Sequence, residues 1–130
     1  MTDPQRSLPE PAVADRRDEV FVVQRPWGSF QQFASNEPVT VKTITVQPGQ
    51  RLSLQRHARR AEMWQVLSGQ LDITVDDRTW SAAEGELVWI GVGQRHRLGN
   101  STTESGTLLE IGFGHFDEDD IERLHDDYSR

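Results

Sequence analysis

The stretch that decides the fold is GQRLSLQRHARRAEMWQVLSG, Gly49–Gly69. It begins at a Pro48-Gly49 turn and ends at Ser68-Gly69, and between these turn signals it reads as short strands. Alternate residues of a strand share a face, so Gln55 and His57 can converge on one point. Glu62 opens the next strand, with Trp64 and Val66 on its face. A second stretch, GELVWIGVGQRHRLGN (Gly85–Asn100), presents His96 from a separate hairpin. A barrel interior can gather Gln55, His57, Glu62 and His96 as nitrogen and oxygen ligands of a divalent metal. The plainer alternatives are two polar loop histidines and a Glu62 paired with a neighbouring arginine.

Outward from this stretch the pattern stays β-like. Val20–Val23 is an apolar run, Arg25-Pro-Trp-Gly28 a turn, and Ser29–Ala34 a second strand. Over Val39–Val46 the odd positions face one way and Thr40, Lys42, Ile44 and Val46 the other. Arg51–Leu54, Glu62–Leu67, Leu71–Val75, Arg78–Ala82, Leu87–Ile90 and Thr107–Phe113 complete the series, with a hairpin turn at Asp76-Asp77. Strands separated by turns at intervals of about ten residues predict a sandwich or barrel. A helical period starts only at Asp117. Over Asp117–Tyr128, Ile121 and Leu124 stand three apart behind an acidic first turn, which predicts a short C-terminal α-helix serving as a solvated cap or dimer element. Residues 1–18, with Pro4, Pro9 and Pro11, read as a disordered or loosely packed arm, and 19–130 as one domain.

The formal net charge of the 130 residues is -7. Residues 115–130 carry seven acids and two bases, so most of the acidity lies at the C-terminus and the body is nearly neutral. No basic stripe of the kind that binds nucleic acid is present. No apolar run is long enough to span a bilayer, and the N-terminus lacks the pattern of a secretory signal, so a cytoplasmic location is expected. The chain has no cysteine, which excludes disulfides, thiolate nucleophiles and sulfur-ligated metals. Arg51, Arg56, Arg59 and Arg60 lie near the proposed ligands, and Arg95 and Arg97 flank His96. Such local basicity suits an anionic ligand, although a solvated charged face is an equal alternative. Trp64, Trp80 and Trp89 read as barrel packing rather than as substrate platforms.

The two stretches resemble the paired motifs of the cupin superfamily. Gln55 stands where the first histidine of those motifs would be, and Gly91 where a proline would be. Arg25-Pro-Trp-Gly-Ser29, Leu52-Ser-Leu-Gln-x-His57, Arg60-Ala-Glu62-x-Trp64, Gly93-x-x-His-Arg-Leu-x-Asn100 and Glu118-Asp-Asp-Ile-x-Arg123 resemble, more narrowly, the type II phosphomannose isomerase domain. That domain usually forms the C-terminal part of a bifunctional enzyme with a mannose-1-phosphate guanylyltransferase half, for which 130 residues leave no room. The resemblance implies an all-β double-stranded β-helix, or jelly-roll barrel. It implies a metal-dependent isomerase that interconverts mannose 6-phosphate and fructose 6-phosphate and feeds nucleotide-sugar and polysaccharide synthesis. The metal set it implies is Gln55, His57, Glu62 and His96 around one divalent ion, zinc first, with manganese, iron, nickel and cobalt as alternatives. It places Lys42 and Ser53 near the substrate.

Aldose–ketose isomerisation moves a proton between adjacent carbons, so it needs a base, for which Lys42, Glu110 and His115 are the candidates. Arg51, Arg59 and Arg97 are expected to hold the sugar phosphate. A homodimer is expected, because small barrels cover exposed sheet edges by pairing. Arg59 and Met63 replace histidines common in the family, and Tyr128-Ser129-Arg130 replaces Tyr-Gly-Arg. The alternatives are a non-catalytic or differently specialised metal-binding cupin that binds a sugar phosphate or similar anion, and a metal-free structural barrel.

Overall fold

The structure is a computed structural model, and it describes residues 13–128. After a 3-10 turn at Arg17–Glu19, the strands β1 (Phe21–Arg25) and β2 (Gly28–Gln32) form a separate hairpin. The barrel strands follow: β3 (Val39–Val46), β4 (Leu54–Arg56), β5 (Arg60–Ser68), β6 (Leu71–Val75), β7 (Arg78–Ala82), β8 (Leu87–Ile90), β9 (His96–Gly99), β10 (Gly106–Gly114) and β11 (Glu122–His125). They build two antiparallel sheets, β3-β10-β5-β8 and β11-β4-β9-β6-β7. This is the expected double-stranded β-helix. No helix among the described residues is long and apolar enough to cross a membrane.

Alternation along each strand creates two apolar layers. Val46, Trp64, Val66, Leu71, Ile73, Val88, Ile90, Leu98 and Leu108 pack between the sheets. Met63, Ile111 and Phe113 point to the other side of the four-stranded sheet, where Val13, Val20, Phe33, Trp89 and Leu109 cover them. Both faces of β5 are therefore buried, which is why Arg60–Trp64 shows no exposed position at all. At the start of β10, a Cβ on Gly106 would lie 2.7 Å from Leu71 Cδ2, so any larger residue would push the buried Leu71 side chain aside.

The expected C-terminal α-helix is absent. Asp117–Ile121 forms a turn and strap, and β11 pairs antiparallel with β4, with Glu122 opposite Arg56 and Arg123 opposite Gln55. The physical reason is that a short helix with only Ile121 and Leu124 to bury gains little, whereas β4 would otherwise be an unpaired edge. Leu124 remains 41% exposed. The Arg56–Glu122 ion pair, 2.9 Å, fixes the new register. Of the expected strand at Arg51–Leu54, Arg51 forms an isolated bridge to Gly99 and Leu54 opens β4, and His96–Gly99 is a strand that punctuation by Gly91 and Gly93 concealed. Residues 1–12 and 129–130, which hold most of the expected arm and the end of the Tyr-Ser-Arg motif, lie outside the described residues.

Candidate metal centre

Three buried side chains converge where the two sheets meet. His57 follows β4, and its carbonyl accepts the N–H of Gly93 at 2.8 Å, which ties the two motif-bearing hairpins together. Glu62 lies on the inward face of β5. His96 opens β9 directly across from Gln55. Their exposures are 3%, 1% and 1%. Glu62 Oε2 is 3.6 Å from His57 Nε2, Glu62 Oε1 is 3.5 Å from His96 Nε2, and the imidazole centroids are 4.9 Å apart.

Backbone carbonyls orient both rings. His57 Nδ1–H donates to the Asp120 carbonyl at 2.7 Å, and His96 Nδ1–H donates to the Gln94 carbonyl at 3.0 Å. These bonds assign the Nδ1–H tautomer to each ring, so both Nε2 lone pairs face Glu62. Burial lowers the pKa of His57, and it lowers that of His96 to about 4, so both imidazoles are neutral at pH 7.

Two acceptors, Glu62 Oε1 and His96 Nε2, thus face one another while buried and without a hydrogen-bond partner. Orphaned acceptors of this kind are costly, and a cation between them removes the cost. His57, Glu62 and His96 offer ligand atoms within 4.8 Å of one another, a donor set that fits a divalent ion. Trp64 stands edge-on to the His96 ring at 5.7 Å and closes the inner wall.

Gln55 shares the face of His96 through its cross-strand position, and its Oε1 accepts the Ser53 hydroxyl at 2.9 Å. Ser53 is fully buried. Lys42 and Glu110 are cross-strand partners on β3 and β10, with Nζ 3.6 Å from Oε2. Glu110 is 5% exposed. Burial first, and the neighbouring Glu62 carboxylate second, push its pKa up to about 7. Lys42 also reaches Glu118 at 3.5 Å.

The three arginines expected to hold the substrate do not gather. His96 and Arg97 are consecutive on β9, so Arg97 points to the outer face of its sheet and donates to the carbonyls of Leu52 and His125. Arg51 lines the same outer cleft and pairs with Asp127 at 2.6 Å. Arg59 is exposed, and its backbone N–H is held by Asp120 at 2.9 Å. His115 is exposed.

The sequence names Arg60 only within a basic cluster and offers a neighbouring arginine as an alternative partner of Glu62, which Arg60 proves to be, and it does not point to Asp120. The Arg60 guanidinium is buried, donates from Nε to Glu62 Oε2 at 3.0 Å and from Nη2 to His57 Nε2 at 3.2 Å, and lies over the Phe116 ring at 4.3 Å. Arg60 is two residues before Glu62, so strand alternation puts both on one face, which is the signal that could have found it. Met63 alternates to the outer apolar layer beside Ile111 and Phe113. Its departure from the family histidine therefore leaves the inward ligand set untouched.

The pattern of the family described as "Mannose-6-phosphate isomerase C-terminal" matches residues 14–126, nearly the whole described chain. The chain belongs to this family. Among similar proteins, it is 44% identical over 109 residues to the alginate biosynthesis protein AlgA of Pseudomonas aeruginosa, covering 83% of this chain and 23% of that protein. It is 36% identical over 129 residues to the mannose-1-phosphate guanylyltransferase ManC of Salmonella typhimurium, covering 96% of this chain and 27% of that protein. The chain thus spans about a quarter of the length of the curated relatives it matches. A double-stranded β-helix protein from Klebsiella pneumoniae shares the fold with a TM-score of 0.59 at 19% identity, covering 65% of this chain and 73% of that one. The capsular polysaccharide assembling protein CapF of Staphylococcus aureus does so with a TM-score of 0.59 at 23% identity, covering 82% and 34%.

Proposed function

We propose that this family member is a metal-dependent isomerase of mannose 6-phosphate and fructose 6-phosphate that serves polysaccharide synthesis. One observation carries the proposal: in a chain of the mannose-6-phosphate isomerase C-terminal family, His57, Glu62 and His96 are buried with ligand atoms within 4.8 Å of one another, and Glu62 Oε1 and His96 Nε2 among them have no hydrogen-bond partner. These three residues would hold the ion, with the remaining lone pair of Gln55 Oε1 completing the set. When bound, a divalent ion supplies a Lewis acid for the sugar carbonyl oxygen.

The chain's own groups supply the rest of the chemistry. Glu110, with its pKa raised to about 7, is suited to take a proton from one sugar carbon and return it to the next. Lys42 Nζ, 3.6 Å away, stabilises the carboxylate form of Glu110 and offers charge to a substrate oxygen. Ser53 keeps Gln55 oriented. Arg59 and the half-exposed Lys42 are the cations available to the phosphate, because Arg51 and Arg97 face the other side of their sheet.

A coupled assay for fructose 6-phosphate formation tests the proposal on metal-stripped and zinc-loaded protein, with His57→Ala and His96→Ala as controls. Turnover that needs metal and is lost in both variants supports it. Bound metal without turnover would favour a sugar-phosphate-binding cupin, a reading the bonds from Arg60 to two of the ligand atoms keep in view.

A further inference from the structure

The acidic segment after β10 is built into the metal centre. The chain turns at Gly114, whose φ is +103° and where a Cβ would lie 2.6 Å from the Arg59 carbonyl. Residues 115–121 then reach the centre through Phe116, whose ring lies under the Arg60 guanidinium at 4.3 Å, and through Asp120 beside His57. Asp117 shapes this segment by accepting the N–H of Asp119 on its carboxylate at 2.9 Å and the N–H of Asp120 on its carbonyl at 3.0 Å. Arg60 donates to the same Asp117 carbonyl at 3.2 Å.

Asp120 contacts the site at two levels. Its carboxylate accepts the backbone N–H groups of Ala58 at 2.8 Å and of Arg59 at 2.9 Å, the two residues that follow His57. Its carbonyl accepts His57 Nδ1–H at 2.7 Å. Burial works against the Asp120 charge, but the two N–H bonds and the nearby His57 and Arg60 outweigh it and lower the pKa. The side chain therefore locks Asp120 to the backbone beside His57, and that lock delivers the carbonyl to the ring.

We propose that Asp120 is the positioning residue for His57: its carboxylate clamp on the backbone of residues 58 and 59 holds the carbonyl that fixes the Nδ1–H tautomer and aims Nε2 at the ion. The proposal rests on reading the triad as a metal centre. A metal-ligating histidine is oriented by the partner of its other nitrogen, and loss of such a partner lowers affinity about 10- to 100-fold.

The test uses the full chain with ¹⁵N-labelled histidine and zinc as the probe. Wild-type, Asp120→Ala and Asp120→Asn proteins are compared by zinc calorimetry and by long-range ¹H–¹⁵N spectra of the metal-free imidazoles. Asp120→Ala is expected to lose about 10- to 100-fold in zinc affinity and to shift the His57 Nδ1 signal as its carbonyl acceptor is displaced, while the Arg60 donor on Nε2 still favours the Nδ1–H form. His96, held by Gln94, keeps its tautomer and reports that the fold is intact. Asp120→Asn, which retains one acceptor oxygen, is expected to recover part of both losses. Wild-type affinity and an unchanged His57 signal in Asp120→Ala would overturn the proposal, as would equal disturbance of His57 and His96 in both variants. If wild-type protein binds no zinc, the metal reading fails, and the His57 Nδ1 signal alone decides the role of Asp120.

Discussion

Arg60 and Glu62 form an ion pair in the barrel interior, Nε to Oε2 at 3.0 Å, and the same guanidinium occupies the lone pair of His57 Nε2. An imidazole nitrogen has one lone pair, so His57 cannot accept from Arg60 and bind a metal together. Metal entry must release that bond. Arg60→Met leaves Glu62 buried without its partner and is expected to destabilise metal-free protein by about 3–5 kcal/mol. Zinc then replaces the missing charge, so the rise in Tm on adding zinc should be larger in Arg60→Met than in wild type. Equal shifts in a thermal denaturation series would show that the two cations do not share these atoms.

His57→Ala and His96→Ala each remove one nitrogen ligand, and zinc affinity should fall on the order of 100-fold or more by calorimetry. A bound ion stabilises the folded state by mass action, so the zinc-dependent rise in Tm should vanish in parallel. Because burial lowers the pKa of both ligand histidines below the ordinary 6.5, that of His96 to about 4, wild-type binding should be retained at pH 6.5. Binding that fades by pH 6.5 would contradict the burial described for the ring.

Glu110 predicts a pH dependence of stability. Its pKa in the folded protein, about 7, lies above the ordinary 4.5. A raised pKa contributes stability that is fully present below about pH 4.5 and lost as the pH rises through about 7. Glu110→Gln stays neutral throughout. In metal-free protein the Tm advantage of Glu110→Gln over wild type should therefore grow between pH 5 and pH 8, by on the order of 5 °C. A constant difference across that range would refute it. The same variant should lose isomerase turnover while still binding zinc.

Met63→His restores the histidine common in the family, but the structure puts this position in the outer apolar layer with Ile111 and Phe113. The substitution should add no zinc affinity. It should lower stability by about 1–3 kcal/mol, because it buries a polar ring among apolar side chains. A gain in zinc affinity by calorimetry would place residue 63 on the inward face, against the alternation of β5.

The strands of the barrel were legible because hydrophobic patterning is a local property: β3 and β6 alternate with period two, and β8 is a short apolar run between turn signals. Their turns were marked by Gly, Pro and Asp. His57, Glu62 and His96 were legible because motif spacing fixes which residues alternate onto one face. The end of the chain was misread because Ile121 and Leu124 at helical spacing under acidic residues are a weak signal, and pairing with β4 overrode it.

By itself, the sequence determined that a cysteine-free barrel would carry nitrogen and oxygen donors at spacings able to converge. Tertiary structure alone decided which charged groups meet them. The Arg97 side chain turns outward one residue after His96 turns inward. Asp120, 63 positions from His57 in the chain, supplies the bond that orients the ring. Strand register and the crossing of the segment after β10 set those contacts, and both depend on how distant strands pair rather than on any local pattern.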